Sequence, residues 1–123
     1  MKDYLQAKME LFKQSQEISN NIKILALLEE SISKDLSELN QDLERTKLYH
    51  QNIIAQSMGD DHKPLYKNEQ IREYELDRRL YEDARYKDLK SKKKEKGIEY
   101  GKVKIEREYE ERNFKIVMRA LEE

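Results

Sequence analysis

The chain has 123 residues, with 25 Lys plus Arg against 26 Asp plus Glu, so 41% of it is charged and 37% apolar, where an average globular domain runs about 25% and 45 to 50%. Three Gly, one Pro and no Cys exclude turn-rich β architectures, disulfide scaffolds, zinc-thiolate sites and cysteine nucleophiles. No apolar run approaches the roughly 18 residues of a membrane span, and no apolar signal-peptide core follows Met1-Lys2-Asp3-Tyr4, so a cytoplasmic all-α protein without membrane contact is expected.

Residues 3–57 read as one long helix. Ile18, Leu25, Ile32, Leu39 and Ile53 recur at seven-residue spacing with Thr46 completing the series, and Ile22, Leu36 and Leu43 lie three residues ahead of its members. This alternation of four and three is the pattern of a coiled-coil seam. Glu29 and His50 fall on the same seam, where a polar side chain can set register or partner orientation.

Residues 58–67 hold Gly59, Asp60, Asp61 and Pro64, and predict a loop that reverses the chain. Asn68 follows as an N-cap with Glu69 in the first turn, where the helix dipole favours an anion. A second helix is then expected over 68–121. Its C-terminal half carries two apolar stripes. Ile98, Ile105, Tyr109 and Ile116 form one; Val103, Phe114, Val117 and Leu121 form the other, on the order of 140° away around the axis. A hairpin partner covers only one stripe, so that of Ile98, Ile105, Tyr109 and Ile116 is read as a self-association or partner interface, most economically with a second copy of the chain. Leu76, Leu80, Ala84 and Leu89 follow a different phase. A register shift is therefore expected between residues 84 and 100, eased at Gly97 and Gly101.

Charge divides along the same boundary: residues 1–62 hold 7 basic and 11 acidic side chains, residues 63–123 hold 18 and 15. Antiparallel arms of opposite sign attract across the flanks of the seam. The fold expected is a single domain over 1–123, an antiparallel coiled-coil hairpin of two long helices that dimerises into a four-helix arrangement.

The densest basic stretch comprises Lys87, Lys90, Lys92, Lys93, Lys94, Lys96, Lys102 and Lys104. Such lysines can neutralise phosphates without reading bases. The plainer reading is a solvated face whose charges pair with the acidic first arm, favoured because Lys rather than Arg dominates and the whole chain is not basic. Six of the eight Tyr lie in the second arm; they are read as amphipathic packing residues before stacking platforms. His50 and His62 are the only histidines. Without Cys or a His pair at helical spacing they predict no metal site, and no cofactor is expected. No glycine-rich phosphate loop and no Ser, His and Asp constellation is present, so the chain reads as a non-enzyme.

Tyr66-Lys67-Asn68-Glu69-Gln70-Ile71-Arg72, then Asp77-Arg78-Arg79-Leu80 with Asp83 and Tyr86, and Asn113-Phe114-Lys115 together resemble a family of small, uncharacterised phage and prophage helical proteins encoded beside DNA recombination or replication genes. The resemblance implies a mobile-element protein that acts by binding, on DNA metabolism or a host factor. The function expected is binding of a protein partner through exposed helix faces. The alternative is nucleic-acid accessory binding through the lysines of 87–104.

Overall fold

The computed structural model describes all residues, Met1 to Glu123, and contains three helices: α1 (Lys2–Gln56), α2 (Glu69–Glu82) and α3 (Ala84–Glu122). The chain divides into two compact units, one of residues Met1–Lys34 with Gly97–Glu123, the other of Asp35–Lys96.

In the first unit the N-terminal part of α1 lies antiparallel to the C-terminal part of α3. Two contacts between the helices set the direction. Lys8 Nζ donates to the carbonyls of Leu121 (2.6 Å) and Ala120 (3.2 Å), and Arg107 Nε donates to Glu29 Oε2 at 2.5 Å. The Lys8 ammonium thus satisfies carbonyls at the end of α3 that have no partner within their own helix, and it sits where the dipole is negative. Ser15, Ile32 and Val103 are buried, while Ile18, Ile22, Leu25, Phe114, Val117 and Leu121 are half-buried. On α1 these positions alternate by three and four residues, and the pattern extends back through Leu11 to Lys8.

The second unit holds the end of α1, the connecting loop, α2 and the start of α3. Ile54, Leu76 and Leu80 form its core, with Tyr66 and Tyr86 packed against them. The loop closes on itself. His62 N–H donates to the Gly59 carbonyl (3.0 Å), Gly59 N–H to the Lys63 carbonyl (2.9 Å) and Leu65 N–H to the Ser57 carbonyl (3.0 Å). His62 has φ 60°, the left-handed conformation that follows a tight turn in a three-residue hairpin loop. Asn68 caps α2, its Oδ1 accepting from Ile71 N–H at 2.8 Å.

The second helix expected over 68–121 is divided. Asp83 is extended (φ −78°, ψ 108°) and ends α2, while its Oδ1 accepts from Tyr86 N–H at 3.1 Å and so opens α3. The break precedes the window of 84–100 expected for the register shift, and it separates Leu76 and Leu80 from the two residues read in phase with them: Ala84 is exposed, and Leu89 is buried on α3 two heptads before Val103. α3 is continuous through both glycines. A Cβ added at Gly97 or Gly101 meets nothing within 4 Å, so each gives up about 1 kcal/mol of helix propensity relative to Ala with no packing reason inside the chain.

Candidate interaction surface

On α3 the stripe containing Val103, Phe114, Val117 and Leu121 faces α1 in the first unit, because these residues are buried or half-buried. The other stripe is left outside. Ile98 is 53% exposed, Ile105 65%, Tyr109 57% and Ile116 64%. At 100° per residue these four side chains lie within about 40° of arc. They form one line along the helix, interrupted by Lys102 and Arg112, whose stems can lie along it while their charged heads reach the rim. α1 adds two exposed apolar groups in the same unit, Leu5 with Met9 and Phe12, and Ile24 with Leu27 and Leu28. Phe12, Ser15, Phe114, Met118 and Leu121 line an open groove of about 600 Å³. Exposed large apolar side chains grouped along helix faces, rather than scattered singly, mark a surface with a use.

The polar seam residues are matched to partners. Glu29 receives Arg107, which also donates to Glu111 at 2.7 Å; the Arg107 guanidinium, against the opposing effect of burial, holds the Glu29 carboxyl below its ordinary range. In the second unit His50 Nε2 lies 2.7 Å from Asp83 Oδ2. Its hydrogen bond, followed by that from the Tyr86 N–H, lowers the Asp83 carboxyl. A carboxylate only accepts, so Nε2 carries the proton, and His50 Nδ1 is buried without a partner. Two ion pairs joining α1 to α3, Glu29 with Arg107 and Asp35 with Lys96 at 3.4 Å, set acid on the first arm against base on the second.

Glu75 is a buried carboxylate on α2, bound by Arg78 Nη2 (2.6 Å) and Arg79 Nε (2.9 Å). The Arg78 hydrogen bond dominates over desolvation and, with Arg79 and Tyr66, pulls the carboxyl down to about 2 from 4.5. The depressed value means that Glu75 stabilises the fold fully above the unfolded carboxyl range and loses that contribution as pH falls from about 4.5 towards 2. Unfolding in urea at pH 6 and pH 3 should therefore differ less in Glu75→Gln than in the wild type, by on the order of 2 kcal/mol. An unchanged acid limb would contradict the assignment.

The eight lysines do not share one surface. In the second unit Lys87 Nζ sits 4.4 Å from the Tyr81 ring centroid and Lys90 Nζ 5.3 Å from that of Tyr86. Lys92 pairs with Asp88 at 3.0 Å and Lys96 with Asp35, while Lys93 and Lys94 are exposed. At 100° per residue these six are spread around the helix. Lys102 and Lys104, in the first unit, are exposed. His50 and His62 are not brought together, and no group of three or more His, Asp or Glu side chains is arranged to hold a metal ion. No helix is long and apolar enough to cross a membrane.

Sequence reasoning did not find the Lys8 cap, the burial of Glu75 or the break at Asp83. The first two leave no local signal, since lysine and glutamate on a charged helix are unremarkable until a second element arrives. The third did leave one: Asp83 stands three residues before Tyr86 as an Asp N-cap stands before the N–H it accepts.

No protein family, no curated protein and no solved structure matches this chain.

Proposed function

We propose that the protein is a non-enzymatic, coiled-coil interaction protein of the cytoplasm, of phage or mobile-element origin, that binds a protein partner through the exposed helix faces of its first unit. One observation carries the reading. Ile98, Ile105, Tyr109 and Ile116 stay exposed after α3 has packed through its other stripe, and an apolar line that the chain's own fold leaves uncovered is the feature of a partner surface. The resemblance of the second arm supports the mobile-element origin and points the same way, to action by binding.

The test is affinity purification from the source cells at native expression, with wild type, Ile105→Lys and Leu27→Lys compared. A protein retained by the wild type, and lost with either variant while helicity is unchanged, supports the reading. Binding to random DNA at about 50 mM salt that disappears when Lys92, Lys93 and Lys94 are changed to Gln would overturn it in favour of phosphate contact, which must respond to both salt and charge.

A further inference from the structure

The exposed stripe of α3 is symmetric in sequence. Ile98 and Ile116 lie nine residues on either side of Arg107, and Ile105 and Tyr109 lie two on either side. The helix is unbroken across the whole of this span. A two-fold axis makes an interface self-complementary: if one residue meets another, the second also meets the first. An antiparallel pair of α3 helices with the axis at the level of Arg107 fulfils that condition for all four residues together.

We infer that the partner of this stripe is a second copy of the chain, docked α3 against α3 in antiparallel orientation, so that Ile98 packs on Ile116 of the second copy and Ile105 on its Tyr109. The inference rests on the reading of the stripe as a binding face and names its occupant. Two observations support it. The first is register: sliding one copy by a helical turn sets Ile98 against Ala120 or Arg112, and no such shift keeps the four apolar residues matched. The second is area. At roughly 200 Å² per large side chain, the four exposed fractions amount to on the order of 500 Å² per copy, so the pair reaches the ~1,000 Å² that separates a specific interface from an incidental contact. That size corresponds to the weak end of specific association, and a dimer that exchanges at micromolar concentration is the expected form.

The chain has no Cys, so an introduced thiol reports on its own position alone. Ile98 lies level with Ile116 of the second copy on the facing stripe, and about 27 Å along the axis from its own counterpart. Under mild oxidation Ile98→Cys alone should give no disulfide-linked dimer, while an equimolar mixture of Ile98→Cys and Ile116→Cys should give the mixed dimer. Sedimentation of the purified wild type should show a dimer at tens of micromolar, and Ile105→Lys should weaken it at least tenfold without loss of helical signal. The inference is overturned if the wild type is monomeric at about 100 μM, or if Ile98→Cys links to itself as readily as to Ile116→Cys, which would mean a parallel pair. A monomer whose Ile105→Lys variant still loses a captured protein sinks the dimer and leaves the binding face standing. A dimer lost in Ile105→Lys with no other protein captured supports the dimer and limits the face to self-association.

Discussion

Asp83→Ala should lower the free energy of unfolding by about 2 to 4 kcal/mol, among the largest losses available from one side chain in this protein. Two interactions end together. One is the cap on α3, in which Oδ1 accepts from Tyr86 N–H; loss of an N-cap costs about 1 kcal/mol. The other is the bond from Oδ2 to His50 Nε2 at 2.7 Å, a charge-assisted contact of about 1.5 to 3 kcal/mol. With Asp83 gone, neither ring nitrogen of His50 has a partner, because Nδ1 has none already. Asp83→Asn should fall between the two, since Asn caps as well as Asp but offers His50 no charge. Sign follows from the lowered carboxyl: the contribution is complete above the ordinary Asp range near 3.8 and fades as pH falls below it. Urea unfolding at neutral pH, followed by helical circular dichroism, orders the three proteins. An Asp83→Ala chain within 0.5 kcal/mol of wild type would mean that the break in the second arm is held by something else.

The second large effect belongs to Ile32, the most buried side chain of the protein at 2% exposure. Ile32→Ala should cost about 3 kcal/mol, combining lost transfer energy with the cavity left behind. Leu27, five residues earlier on the same helix and largely exposed, should change stability by less than about 0.5 kcal/mol when replaced by Ala. The two are similar in size and helix context, so the contrast measures which face of α1 is inside. Equal effects would contradict the packing of the first unit.

Much of this arrangement is legible in the residues. The three-and-four spacing of Ile18, Ile22, Leu25, Ile32, Leu36, Leu39 and Leu43 marks the inner face of α1, and all seven are buried or half-buried, because a helix can bury only a narrow stripe and selects apolar residues for it. Gly59, Pro64 and Asn68 mark the loop and the start of α2 through their backbone preferences, which need no tertiary context. The two stripes of α3 can be counted, but not ranked. Both are apolar and correctly spaced, and which one meets α1 depends on the rotation of α3 about its own axis, a quantity no local preference contains.

By itself, then, the sequence determined that the chain is helical, where the first helix ends and which side of it faces inward, since propensity, capping and periodicity are properties of neighbouring residues. Tertiary structure alone decided that Lys8 closes the end of α3, that Glu29 and His50 meet Arg107 and Asp83, and that the Ile98 to Ile116 stripe stays outside. Each of these joins residues at least 30 apart in the chain or selects between two equivalent faces. The energy that decides them arises only when two helices are in contact.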